Sequence, residues 1–146
     1  MNPACYRPCV KAGANYINDT VVAAIREIDF VKVEVRDVVF MPSLEAPLDQ
    51  PYPFVYIIAI RNHGEEAVTF LGRKWVVTSE GGERTVVEGD GIIGQKPRVG
   101  PDEVFSYNSY HTVASNSVAS GAYFGRLDSG EPVCVRIPEF KMNVPG

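Results

Sequence analysis

"AVTFLGRKWVVTSEGGERTVVE", residues 67–88, contains two β-strand patterns joined by a turn signal. Both halves are rich in β-branched and aromatic residues, which favour strands. Glu80-Gly81-Gly82 is a hairpin signal between them. Gly72 falls where a β-bulge or a close backbone approach is expected. The segment therefore predicts an antiparallel strand pair.

Strand patterns continue on both sides of this pair. In "VKVEVRDVVF", residues 31–40, apolar residues alternate with charged ones, as in a half-buried strand. "FVYIIAIRN", residues 54–62, is apolar on both faces and predicts a central strand covered on both sides. "VFSYNSY", "GAYFGRL" and "PVCVRI" follow, and Asp128-Ser129-Gly130-Glu131 is a turn signal between the last two.

About seven short strands with turns between them leave no room for crossover helices. We predict an all-β, antiparallel two-sheet sandwich of the immunoglobulin or fibronectin III kind, with a small closed barrel as the alternative. In the last strand Val133, Val135 and Ile137 are expected to face inward, with Cys134 and Arg136 on the opposite face.

Length and composition exclude several classes of protein. A chain of 146 residues is one domain by its length, with a core of sufficient size. A net charge of −4 argues against binding to nucleic acid or to an anionic membrane. The longest apolar run, residues 54–60, is too short to cross a bilayer, and the first residues lack the apolar region of a secretion signal. We expect a cytoplasmic protein.

Residues 1–28 predict a flexible leader that precedes the folded domain at 29–146. Asp19-Thr20 could cap a short helix over "VVAAIREI", residues 21–28. Cys5 and Cys9 lie in this leader, and with Cys134 they are too few for a disulfide framework. Since no His or further Cys stands near Cys5 and Cys9, we expect no metal site there.

"EGDGIIGQKP", residues 88–97, has the Gly89-x-Gly91-x-x-Gly94 spacing of a dinucleotide-binding loop. Such a loop must open a helix, but Pro97 and the proline and glycine that follow it prevent one. We predict extended chain after Gly94 and glycines that serve the backbone geometry of a connection between sheets. Lys96 and Arg98 stand just downstream, and anion binding stays open as an alternative.

No catalytic constellation is evident. Ser109 and His111 would share one face of a strand, but no carboxylate can be assigned to orient the histidine. His63 is most simply a turn residue. We therefore expect a protein that is not an enzyme, with no catalytic residues, no metal and no cofactor.

"RKW", residues 73–75, places three different side chains at the centre of the longest strand. Trp75 is expected in the core, Lys74 on the opposite face, and Arg73 near the rim, where it could stack on an aromatic ring or reach the glycine loop. Four tyrosines are candidates for a partner surface, because tyrosine is favoured at interfaces. They are Tyr52, Tyr107, Tyr110 and Tyr123.

Five segments give a more specific indication. "FVYIIAIRNHG", "LGRKWVVT", "VVEGDGIIGQKPRVGPDEVFSYNS", "SGAYFGRL" and "RIPEF" follow one another in the order and spacing of the ApaG family. The chain resembles this family over roughly residues 31–145 and departs from it at 101–103 and 110–123. The resemblance implies a fibronectin III-like sandwich. ApaG-like domains also occur as modules of F-box proteins and of a polymerase-delta-interacting protein, which implies a binding role.

The family that this chain resembles is associated with cobalt and magnesium efflux. Because a chain without a membrane span is not itself a pump, the resemblance implies an indirect role in that efflux. We predict a binding module for a protein partner, as a monomer or homodimer, with no nucleic acid or membrane partner. The alternatives are a Co²⁺ or Mg²⁺ sensor and a pyrophosphate or nucleotide site, with Mg²⁺, at the glycine loop. The predicted binding residues are Arg73, Gly89, Asp90, Gly91, Gly94, Gln95, Lys96 and Arg98.

Overall fold

A computed structural model describes residues 15–17, 20–22 and 25–146, and within these ranges the only regular elements are eleven strands. They are β1 (Asn15–Ile17), β2 (Thr20–Val22), β3 (Arg26–Glu27), β4 (Val31–Phe40), β5 (Tyr52–Asn62), β6 (Val68–Ser79), β7 (Arg84–Asp90), β8 (Arg98–Val99), β9 (Val104–Val113), β10 (Ser117–Leu127) and β11 (Pro132–Met142). β4, β5, β6, β7, β9, β10 and β11 are the long ones, which confirms the predicted number.

The strands form two main sheets that pack as a sandwich. One has the order β4-β5-β9, and the other has the order β3-β11-β10-β6-β7, with β8 paired to β6. β1 and β2 make a separate pair. The predicted sandwich is confirmed and the closed barrel is wrong, because the main sheets stay separate and, in the described part of the chain, β7 and β9 have one partner strand each. The short pair β3 and β11 is parallel, an exception to the predicted antiparallel order.

The core lies between the two sheets and is rich in aromatic rings. Trp75 is 2% exposed, and its ring centroid lies 5.0 Å from that of Tyr56. Tyr107 and Tyr123 are also buried and share a hydrogen bond between their hydroxyls. Burial of these phenols raises their pKa. On β11 the side chains of Val133, Val135 and Ile137 point into this core, as predicted.

The predicted turns and the bulge are confirmed. The amide of Ser79 donates to the carbonyl of Glu83, 2.8 Å away, and closes the β6–β7 hairpin. The amide of Leu127 donates to the carbonyl of Glu131 at 2.9 Å and closes the β10–β11 hairpin. Along β10 the register jumps so that Phe124 faces Gly72 and the next residue faces Phe70, which makes Leu71, beside Gly72, the extra residue of a bulge.

Two expectations about local structure are wrong. The short helix after Asp19-Thr20 does not form, because Thr20–Val22 pairs as a strand with β1 and Arg26–Glu27 pairs with β11. The predicted coverage of β5 on both faces is wrong at Ile57 and Arg61, which are exposed on the outer face, although Pro53 and Ala59 on that face are buried.

Residues near position 28 connect the N-terminal part to the sandwich. Ile28 is 3% exposed in the core, and its amide donates to the carbonyl of Cys134 at 3.0 Å. Cys134 lies on the opposite face of β11, as predicted, and is buried with Ala122 against Ile25. Cys5 and Cys9 lie outside the described residues. None of the described residues forms a helix that could cross a membrane.

Candidate functional site

The glycine loop, residues 88–98, turns back on itself directly after β7. The amide of Ile92 donates to the carbonyl of Gln95 at 2.7 Å, and the amide of Gln95 donates back to Ile92 at 3.0 Å. The two central residues, Ile93 and Gly94, have φ values of 43° and 77°, the positive values that a type I′ hairpin turn requires. β8 follows and pairs with β6. The prediction of extended chain after Gly94 is confirmed.

Gly91 is required for a different reason from Gly94. Its φ is 67°, and a Cβ placed on it would lie 2.3 Å from the carbonyl oxygen of Gln95. A Cβ on Gly94 would meet no atom within 4 Å. Gly94 therefore supplies only the positive φ, whereas Gly91 also allows the two arms of the turn to approach each other.

Arg73 reaches the glycine loop, as one of its two predicted roles requires. Its Nη1 donates to the carbonyl of Asp90 at 2.8 Å and to that of Gly91 at 3.3 Å. A Cβ on Gly89 would lie 2.7 Å from the same nitrogen, so the absence of a side chain at Gly89 makes room for the guanidinium. Arg73 thus fastens the loop to β6.

The other predicted site residues do not converge on an anion. Arg98 in β8 points to Asp128, with its Nε 3.2 Å from the carboxylate oxygen Oδ1. This pairing lowers the pKa of the Asp128 carboxyl. Lys96 and Gln95 are exposed beside the turn, and Asp90 is exposed before it. Of the three cations in the prediction, two therefore already bind groups of the protein.

The loop amides are also engaged. The amides of Gly91, Ile92 and Gln95 donate to the carbonyls of Leu71, Gln95 and Ile92. A phosphate site of the dinucleotide-binding kind needs amides that converge on the ligand from the first turn of a helix. In the structure these amides hold the hairpin together instead, so the geometry does not favour the pyrophosphate or nucleotide alternative.

Ile93, which the sequence prediction did not include, occupies the tip of the turn. Its side chain is 45% exposed, although it is large and apolar. A β-branched residue at positive φ is an outlier that costs of the order of 1 kcal/mol or more, and strain of this kind concentrates at functional sites. No sequence pattern predicts an isoleucine here, because the favoured residues at this turn position are Asn, Asp and Gly.

The remaining candidates lie elsewhere. Ser109 faces Tyr56 across the β5–β9 pair. Burial raises the pKa of the Tyr56 phenol, and the Ser109 side chain offsets part of this rise. His111 packs against Tyr56 and Trp75, with ring centroids 4.8 Å from each, and burial lowers its pKa from 6.5 to about 4. Its Nε2 is buried without a hydrogen-bond partner among the described residues.

The four tyrosines divide between core and surface. Tyr107 and Tyr123 are in the core, Tyr52 is half-buried, and Tyr110 is 40% exposed. Only Tyr110 therefore offers much of its ring to a partner. His63 is exposed in the turn after β5, where its amide donates to the carbonyl of Phe30 at 2.8 Å, as expected of a turn residue. Within the described residues, no three His, Cys, Asp or Glu side chains are grouped so as to hold a metal ion.

Comparison with known proteins gives a consistent family. Residues 42–126 match the ApaG domain. Protein ApaG of Salmonella arizonae is 32% identical over 108 residues, which are 73% of this chain and 86% of that protein. The X-ray structure of the structural genomics target SoR45 is 30% identical, with a TM-score of 0.72, over 80% of this chain and 89% of that one. A protein assigned as ApaA from Bordetella pertussis is 29% identical, with a TM-score of 0.71, over 83% and 98%.

Proposed function

Because the chain belongs to the ApaG domain family, we propose that it is a non-enzymatic protein-binding module whose glycine loop contacts the partner. The observation that carries this proposal is the exposed Ile93 at the tip of a strained turn. A sequence selected for stability alone would place Asn, Asp or Gly there. An apolar side chain held outward is the kind of anchor that protein interfaces use.

The construction of the loop supports the same role. The type I′ turn, the close contact at Gly91 and the guanidinium of Arg73 hold the loop in one conformation. A rigid surface loses little conformational entropy when a partner binds, which favours affinity. Lys96 and Asp90 flank the tip and are exposed, so they supply a polar rim around the apolar centre.

A link to cobalt or magnesium resistance would then be indirect. The module would act by binding a protein that itself handles the ion, because the described residues offer no group of ligands from which a direct sensor could be argued. Under this proposal the substitution Ile93→Asp should change any such resistance together with partner binding.

Affinity capture with charged substitutions tests the proposal. Wild-type protein, Ile93→Asp and Leu48→Asp would each be used to capture proteins from a cell lysate, and the captured proteins would be quantified by mass spectrometry. Leu48 is the matched control, because it is also apolar and is fully exposed away from the loop, at 101%. We expect at least one protein to be captured by the wild type and by Leu48→Asp but reduced about tenfold or more with Ile93→Asp. The same captured set with all three proteins would contradict the proposal.

A further inference from the structure

The two sheets are of unequal width, and this leaves the inner face of β7 uncovered. The sheets pack together where β4 meets β11, and they separate on the other side, between β9 and β7. Val87 is paired with Trp75 across β6 and β7, so both side chains point to the inner face of the sheet. Trp75 is buried, but Val87 is 41% exposed. A position that faces the core in its own sheet thus has no opposing strand in the part of the chain that the structure describes.

Among the described residues β9 pairs only with β5, and its other edge is free on the same side of the molecule. The amide of Asn62 donates to the carbonyl of Glu103, so by alternation the odd-numbered residues of β9 bond to β5. Thr112 faces Pro53, which has no amide to donate, in agreement with this pattern. The main-chain amides and carbonyls of Tyr110 and Thr112 therefore point away from β5, toward the open side.

A groove of about 310 Å³ separates β9 from β7. Residues 110–115 form one wall, and Val77, Thr85 and Val87 form part of the other. His111 lies in the first wall, with its buried Nε2 unpartnered among the described residues. The groove thus combines a free strand edge, an uncovered apolar side chain and polar groups along its length.

We propose that this groove binds an extended segment of a partner protein, which adds as a fourth strand beside β9. The added strand would bond to the main-chain groups of Tyr110 and Thr112, as in other cases of strand addition to a sheet edge. Its inward side chains would lie over Val87 and complete the missing layer of the sandwich. This site is separate from the tip of the glycine loop, because the groove is lined by Glu83, Thr85 and Val87 at the start of β7 and just before it, whereas the turn at Ile93 follows the end of β7.

The lining specifies the chemistry of the segment. Val87 and Val77 favour an apolar side chain opposite them. Glu83 is the acidic residue of the lining, and the lowered pKa of His111 leaves that ring neutral at pH 7. A basic side chain would therefore suit the end near Glu83. Since Glu83 stands one residue before β7 and in phase with Val87, the apolar and basic residues should be about four positions apart.

A peptide display experiment tests this inference. A phage-displayed library of random peptides of about eight residues would be selected on the full chain, and enriched peptides would be synthesised for affinity measurements. Val87→Asp places a charge in the groove, and Val86→Asp is its control, because Val86 is 53% exposed on the outer face of the same strand. Thr112→Pro removes an edge amide. Ser106→Pro is its control, in the same phase of β9 but about 20 Å away.

We expect peptides with the apolar and basic spacing to be enriched. Val87→Asp and Thr112→Pro should lower their affinity about tenfold or more, whereas both controls should stay within about twofold. Hydrogen exchange at the main-chain amide of Thr112 should slow when the peptide binds. Failure to enrich any peptide, or unchanged affinity in Val87→Asp, would overturn the proposal. So would a wild-type dimer that Thr112→Pro dissociates, because the occupant would then be a second copy. If Thr112→Pro does not fold, the comparison of peptide affinity between Val87→Asp and Val86→Asp decides whether the proposal holds.

Discussion

At the scale of single residues, His111 makes stability depend on pH between about 4 and 6.5. Burial lowers its pKa in the folded protein to about 4, whereas the unfolded chain has the ordinary value of 6.5. The unfolded state therefore binds the proton more tightly. The free energy of unfolding is unaffected by this group above pH 6.5 and falls as the pH decreases from 6.5 to 4. At 1.36 kcal/mol per pKa unit the full loss is about 3 kcal/mol.

Replacement of His111 by Phe should remove this dependence. It should also raise the free energy of unfolding at pH 7 by about 1 kcal/mol, because it replaces a buried nitrogen that lacks a hydrogen bond. Urea unfolding of both proteins at several pH values between 4 and 8 measures the difference in their free energies of unfolding. The contributions of the other titrating groups cancel in this difference. Parallel pH profiles for wild type and His111→Phe would show that His111 is not the titrating group.

Ile93 provides a second prediction at this scale. Ile93→Asn would create the Asn-Gly pair that type I′ turns prefer. Relief of strain at a φ of 43° should raise the free energy of unfolding by about 1 kcal/mol and the melting temperature by several degrees. Thermal unfolding followed by circular dichroism gives the answer. A less stable Ile93→Asn would mean that the isoleucine contributes packing that outweighs the strain.

At the scale of elements, the glycine hairpin allows a matched comparison. Gly91→Ala introduces a Cβ 2.3 Å from a carbonyl oxygen at positive φ, whereas Gly94→Ala has positive φ but no steric contact. We expect losses in the free energy of unfolding of about 3 kcal/mol or more for Gly91→Ala and about 1 kcal/mol for Gly94→Ala. Urea denaturation of the two variants checks the order. Equal losses would show that the arms of the turn can separate at little cost.

The same elements show how far the sequence predicts the structure. The long strands were predictable, because alternating β-branched residues and glycine turns are local signals for them. Arg73 could be placed near the loop from its position beside Trp75. The failed helix at residues 21–28 shows the limit of local signals. A suitable cap at Asp19-Thr20 did not decide the outcome, because Thr20–Val22 and Arg26–Glu27 pair with β1 and β11.

The candidate site was predictable only in part. The glycine loop was identified by the spacing of its glycines, but Ile93 was missed, since isoleucine is not among the usual residues at the first central position of this turn. The groove at Val87 had no sequence signal at all. "RTVVE" has the β-branched residues of any strand, and its place at the edge follows from pairings between residues far apart in the chain. Edge position is a property of the whole sheet, not of a segment.

At the scale of the whole molecule, the structure bears on which class of ligand the glycine loop serves. If the loop amides and Arg73 hold the hairpin together, pyrophosphate and ATP should give no heat of binding by calorimetry and no change in melting temperature at about millimolar concentration, with or without Mg²⁺. The control is Lys32→Ala, which removes a cation from β4 in the other main sheet. Stabilisation by nucleotide that is lost in Arg73→Ala but kept in Lys32→Ala would instead support a nucleotide site.

Ile93 is proposed to anchor a protein partner, and the affinity of Ile93→Asn for the protein captured by the wild type tests this, measured by calorimetry beside the two melting temperatures. We expect a variant that is more stable than the wild type and yet binds the partner about tenfold or more weakly, which loss of folding cannot explain. A variant that is folded and binds with unchanged affinity would contradict it.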